Sequence, residues 1–174
     1  MLFRSGKATR LPAAVITSSG TAVANLMPAV IEAKLSHTPM LLLTADRPSE
    51  LRQTGSNQTI DQIKIFGDYT QYFHDVPPPS ESDSDSQLRS LLTMVDVSVR
   101  SACMDPAGPV HLNLQFREPL TSTETSSTRP KPDAILQQWW DSDQAFTRSN
   151  LEVLSTTISN PFGNAEQVHS FSFN

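Results

Sequence analysis

The sequence has one cysteine among its 174 residues, and no acidic residue before Glu32. A lone Cys103 excludes a disulfide framework and a thiolate metal site, and it fits a reducing compartment. Without an early acid, the first strand and the turn after it have no carboxylate for chemistry. No apolar run reaches the about 18 residues that a membrane span needs, and residues 1–10 carry no signal-peptide core. Positive charge is scarce as well. Thirteen Lys plus Arg stand against eighteen Asp plus Glu, giving a net charge of -5 without a basic block, so a nucleic-acid partner is not expected. His37, His74, His111 and His169 lack metal-site spacing, and Glu81, Asp83 and Asp85 lack the spacing and glycine of a calcium loop, so no metal site is read from the residues. The length allows one domain with a true core, plus a tail.

What is present alternates between strand and helix. Residues 13–19 (AAVITSS) form a β-branched apolar run that ends in a turn signal, a buried strand. Ala22, Leu26, Ala29, Val30 and Ala33 then share one face of a helix capped by Thr21, with Pro28 marking a kink or an early turn. A second buried strand spans residues 40–43, so the three elements make a right-handed parallel βαβ unit. A short helix is expected over residues 60–66 and a third strand over 69–73. VPPPSESDSDS then interrupts regular structure.

From Ser86, with Asp85 or Ser86 as cap, Leu88, Leu91, Leu92, Val95, Val99 and Ala102 form one apolar helical stripe that ends near Met104. Cys103 reads as inert packing at its end. Val110, Leu112, Leu114 and Phe116 alternate with His111, Asn113 and Gln115, the pattern of a half-buried or edge-proximal strand, with His111 a hydrogen-bonded structural residue. The fold class is therefore α/β, a mostly parallel sheet flanked by helices. Residues 1–120 form the domain, 121–134 a Ser/Thr/Pro linker, and 135–174 a poorly ordered tail with a short helix around Ile135, Trp139, Trp140 and Phe146.

Three stretches can carry function. SSGTA, at residues 18–22, lies between strand and helix, where free amides could hold an anion or a polar ring edge; a plain tight turn is the alternative, and the residues alone favour it. TADRP puts Arg47 just past a buried strand, placed either to bind a carboxylate bidentately or to pair with Asp46, Glu50 or another acid. GSNQ is a turn through Gly55 and Asn57, and Asn57 and Gln58 could also offer paired amides to a substrate.

Taken together, SSGTAVANLMPAVIEA, LLLTADRPSELRQTGSNQTIDQ and GPVHLNLQFREPL resemble the N-terminal, pyrimidine-binding domain of the 2-succinyl-5-enolpyruvyl-6-hydroxy-3-cyclohexene-1-carboxylate synthase family. The resemblance runs from Pro12 to Leu120, and VPPPS and the Trp-containing region look like the plant or algal form. It implies a thiamine-diphosphate- and Mg2+-dependent transferase of menaquinone and phylloquinone biosynthesis. Such an enzyme decarboxylates 2-oxoglutarate and adds the remaining four-carbon unit to isochorismate in a 1,4 sense.

By the same resemblance, Arg47, Asn57 and Gln58 bind the acidic substrates, and Ser19, Gly20 and Thr21 lie near the cofactor's pyrimidine ring. A homo-oligomer formed through the family dimer surface and a chloroplast location are implied too. The family's activating glutamate precedes the first strand present here, and its central and diphosphate-binding domains are further modules. The expectation is an N-terminally truncated domain with no catalytic residue of its own, inactive in isolation and with an uncovered sheet edge. The alternative is a non-catalytic binding or regulatory fragment that associates with a full-length homologue.

Overall fold

Strand β1 (Ala13–Thr17) and strand β2 (Met40–Asp46) are joined through two helices, and further chain adds β3 (Tyr72–Val76) and β4 (Pro109–Gln115) to one sheet. The sheet order is β1-β2-β4-β3 and every pairing is parallel. The computed structural model describes residues 2–80, 84–120, 134–142, 144–147, 153–154 and 170–171. It divides the chain into the units Met1–Asp143 and Gln144–Asn174. In the second unit Val153–Leu154 pairs antiparallel with Ser170–Phe171. Residues 121–133 of the expected linker, residues 81–83 of the acidic serine run and most of the expected tail lie outside the described residues; Ala134, expected in the linker, opens a helix.

The connection after β1 is two short helices, α2 (Thr21–Ala24) and α3 (Met27–Leu35). Pro28 sits in the first turn of α3, where its missing N–H costs nothing, so the proline marks a helix start rather than a bend. The break also corrects the cap, because Gly20 and not Thr21 occupies the N-cap position and no side chain caps the helix. Val23, Val30 and Ala33 of these helices pack with Met40, Leu42 and Phe66 into the fully buried cluster on this face of the sheet. Each of these side chains apart from Ala33 contributes about 1.5–3 kcal/mol relative to exposure.

A helix not foreseen in the sequence, α1 (Leu2–Thr9), precedes β1. It carries a glycine because it runs close to the chain entering β2: a Cβ on Gly6 would come within 2.7 Å of the Pro39 carbonyl oxygen. Residues 60–62 are irregular and 63–66 are turn rather than the expected helix, and a single 3-10 turn follows at Gly67–Tyr69. β3 begins three residues later than expected.

The long helix α4 (Asp85–Cys103) starts at Ser84, not Asp85 or Ser86, through a capping box with Gln87. Its orientation departs from the sequence pattern. Met94, Ser98 and Ala102 are buried, whereas Leu88, Leu91, Val95 and Val99 are 36–41% exposed. Ser98 tolerates burial because its hydroxyl donates to the Met94 carbonyl at 2.7 Å. Cys103 is exposed rather than packed, and partial burial still raises its thiol pKa. In α5 (Ala134–Trp140) Leu136 is buried, and the rings of Trp139 and Trp140 meet edge to face at 5.8 Å.

The largest correction concerns β4. It is an interior strand between β2 and β3, with six of its seven residues buried, His111, Asn113 and Gln115 among them. A period of two between apolar and polar residues signals half-exposure only when the polar side faces water. Here that side is buried against hydrogen-bonding partners.

Candidate functional site

The C-terminal ends of the parallel strands bring four segments together: residues 18–21 after β1, 46–52 after β2, Asp75 in β3, and 115–118 at and after β4. Ligand sites of parallel sheets form at this end. Beneath the segments lies a polar network. Asn113 donates to Asp46 and to Asp75, both at 2.8 Å, and its carbonyl accepts from Gln62 at 2.8 Å and from the Thr44 hydroxyl at 3.1 Å. Arg52 bridges the same two acids, at 3.2 Å to Asp46 and 3.1 Å to Asp75. Burial works against its charge, but the hydrogen bonds and charges of Asp75 and then Asp46 outweigh that effect, so its pKa is raised. Gln115 completes the cluster, donating to Asp75 at 2.9 Å and accepting the Ser49 amide at 2.9 Å.

His111 sits one layer deeper. Its Nε2 lies 2.7 Å from the Thr44 hydroxyl, and the rings of Phe66 and Phe73 stand 4.9 and 5.2 Å away. Burial pushes its pKa down to about 4, partly opposed by the charge of Asp75, so the ring is neutral at pH 7. This agrees with a structural, hydrogen-bonded histidine.

The six residues expected at the site fall into two groups. Arg47 and Asn57 line one cavity of about 460 Å3, together with Glu50, Ser56, Arg117 and Glu118. The Arg47 side chain is 21% exposed; it donates to Glu118 at 3.1 Å, and its buried Nε has no hydrogen-bond partner among the described residues. The partner acid is thus Glu118, while Asp46 pairs with Arg52.

Gln58 turns the other way. Its side-chain nitrogen donates to the Ser18 hydroxyl at 3.1 Å and to the Ser19 carbonyl at 3.0 Å, while its backbone carbonyl accepts from the Ser19 hydroxyl at 2.9 Å. The adjacent amides therefore serve different segments. Gly20 has φ of 79°, and its amide donates to Gln62 at 2.8 Å. Ser19 and Gly20 are buried with these polar groups committed; Ser18, Thr21 and Asn57 are exposed.

Asn113, Asp75, Gln62, Gln115 and Arg117 were not singled out from the sequence. One signal was there: three polar residues spaced by two on a strand, opposite a strand that ends in aspartate. No group of three or more His, Cys, Asp or Glu able to hold a metal occurs among the described residues. Nor is any described helix long and apolar enough to cross a membrane.

Comparison with known proteins identifies the family. The family described as "Thiamine pyrophosphate enzyme, N-terminal TPP binding domain" matches residues 4–65. A 2-succinyl-5-enolpyruvyl-6-hydroxy-3-cyclohexene-1-carboxylate synthase from Salinibacter ruber is 50% identical over 142 residues, 82% of this chain and 23% of the relative. The synthase of the same name from Rubrobacter xylanophilus is 51% identical over the same share of each chain. The chain belongs to this synthase family. Protein PHYLLO, chloroplastic, from Arabidopsis thaliana is 44% identical over 142 residues, 82% of this chain and 8% of that protein. The chain spans about a quarter of the length of the bacterial synthases and less of the plant protein.

Proposed function

We propose that this chain supplies the substrate-acid and pyrimidine-side surface of a thiamine-diphosphate-dependent transferase that joins decarboxylated 2-oxoglutarate to isochorismate. The observation that carries the reading is Arg47 and Asn57 lining one cavity at the carboxyl end of the sheet, with Arg47 Nε left unpartnered among the described residues. A guanidinium held by a strand end binds a carboxylate through two parallel N–H bonds, and a neighbouring amide can fix a hydroxyl or a second oxygen.

The pyrimidine side is assigned to the turn at residues 18–21. A Cβ on Gly20 would come within 3.0 Å of the Gln58 carbonyl, so a glycine lets the two segments close on one another. This leaves the Ser18 and Thr21 side chains outward, which fits a ring edge lying against the turn. The cofactor, when bound, supplies the electron sink for loss of carbon dioxide from the 2-oxo acid. The residues of this chain orient: Arg47 and Asn57 hold the acceptor acid, and Gln58 and Gln62 keep the turn in register. Mg2+ is expected with the diphosphate and is assigned to no residue described here. The chain spans 23% of the relatives' length, and the part assigned to it is binding and orientation of the acid.

A plastid location is proposed from the likeness to the Arabidopsis protein. The exposed stripe Leu88, Leu91, Val95 and Val99 on α4 supports pairing of this chain with a second copy or a full-length homologue. Sedimentation of the Val95→Lys chain checks that pairing, which should be lost.

Calorimetric titration with isochorismate tests the main reading. Arg47→Ala should weaken binding at least on the order of tenfold, the scale of one charged hydrogen bond. An unchanged affinity would remove Arg47 from the site.

A further inference from the structure

The cavity around Arg47 contains a second cation, and both cations already hold carboxylates of the chain itself. Arg117 grips Glu50 through two bonds, Nε to Oε1 at 2.5 Å and Nη2 to Oε2 at 3.2 Å, while Arg47 holds Glu118 at 3.1 Å. All four residues line the same space. We propose that this cavity takes a dicarboxylate whose two carboxylates displace Glu118 from Arg47 and Glu50 from Arg117. Arg117 is then a second substrate-binding residue, and the two glutamates are internal stand-ins. The inference rests on the assignment of Arg47 to substrate binding.

Topology sets the spacing of the cations. Asp46 and Gln115 are register partners on neighbouring parallel strands; Arg47 lies one residue beyond the first and Arg117 two residues beyond the second. The two guanidinium groups thus leave adjacent strand ends, and both line the one cavity. Pro48, Leu51 and Phe116 give the cavity an apolar wall for a carbon skeleton, and its volume of about 460 Å3 lies within the usual range for small-molecule sites.

Exchange of carboxylates is cheap here. The side chains of Glu118 and Glu50 are 72% and 48% exposed, so each regains water when released. Exposed ion pairs of this kind contribute little. Arg47 is largely enclosed and keeps its place, so the entering acid meets a positioned cation. The cavity lining is neutral, two arginines against two glutamates. Displacing both glutamates leaves two positive charges facing a doubly negative ligand.

The test is calorimetric titration of the full chain with isochorismate, which has two carboxylates, and with benzoate, which has one. Arg117→Ala should weaken isochorismate on the order of tenfold while leaving benzoate unchanged. Glu50→Gln should tighten isochorismate alone, and Glu118→Gln should tighten both. If Arg47→Ala lowers isochorismate affinity but Arg117→Ala and Glu50→Gln do not change it, the second-cation inference is overturned and the Arg47 assignment stands. If wild type shows no saturable binding, or Arg47→Ala is without effect, the assignment falls and takes the inference with it.

Discussion

Asn113 gives one hydrogen of its side-chain amide to Asp46 and the other to Asp75, each at 2.8 Å, so one neutral group separates two carboxylates at the floor of the site. Its carbonyl is also filled, by Gln62 and Thr44. Asn113→Asp keeps the shape, removes both donors and puts a third carboxylate among two that share the single charge of Arg52. Loss of a partner in such a buried network costs about 3–5 kcal/mol. Urea unfolding at pH 7 measures the change. A loss below about 1 kcal/mol, the size of an ordinary surface effect, would mean that the network is not a source of stability.

The backbone of the turn at residues 18–21 makes a separate prediction. Gly20 combines φ of 79° with ψ of -139°, and a Cβ there would meet the Gln58 carbonyl at 3.0 Å and the Gln58 Cγ at 3.1 Å. Gly20→Ala should therefore destabilise the chain by about 1–3 kcal/mol, the usual cost of such a backbone state in a residue with a side chain. It should also loosen the Gln58 contacts with Ser18 and Ser19. Amide exchange at residues 18–20 and 58 follows the second effect. Unaltered protection would mean that the two segments do not depend on close approach.

These two residues mark how far the sequence was legible. The parallel sheet was readable because β1 and β2 are continuous apolar runs bounded by turn signals, and the motifs around Gly20, Arg47 and Asn57 pointed to the segments that meet at the strand ends. Asn113 was not readable as a hub. Its strand alternates apolar and polar residues, and periodicity reports that two faces differ without saying whether the polar one meets water or a buried partner. The stripe of α4 fails for a related reason. A heptad-like run of Leu and Val fixes a helix, but of that stripe only Ala102 is buried, beside Met94 and Ser98 of the adjoining face, and only tertiary packing selects which flank is buried. α1 was missed because residues 2–9 are short and carry a glycine, whose fit depends on contact with Pro39.

His111 gives a pH prediction whose sign follows from linkage. Its pKa is about 4 in the folded chain against an ordinary value of 6.5. Below pH 6.5 the unfolded chain takes up a proton that the folded chain refuses. The stability contribution is thus complete above that pH and is lost as pH falls toward about 4. Over the full interval it amounts to roughly 3 kcal/mol. His111→Phe should flatten this part of the urea-midpoint profile between pH 7 and pH 4.5, because Thr44 retains Asn113 as a partner. Equal slopes in the two chains would assign the pH dependence to other groups.

At the free edge of the sheet, Ile16 on β1 is 79% exposed and Leu11, just before the strand, is 66% exposed. β1 pairs only with β2 among the described residues, so its other edge presents unpaired N–H and C=O groups beside an outward isoleucine. Such an edge is a template for joining further strands. Ile16→Lys removes apolar surface and adds a charge without disturbing the core, so folded stability should change by no more than about 0.5 kcal/mol. Self-association should fall, because a lysine on a free edge must be desolvated before another strand can pair. Static light scattering across a concentration series measures the association. If the Ile16→Lys chain associates as strongly as the wild type, contacts between copies form elsewhere, and the exposed stripe of α4 becomes the surface to test.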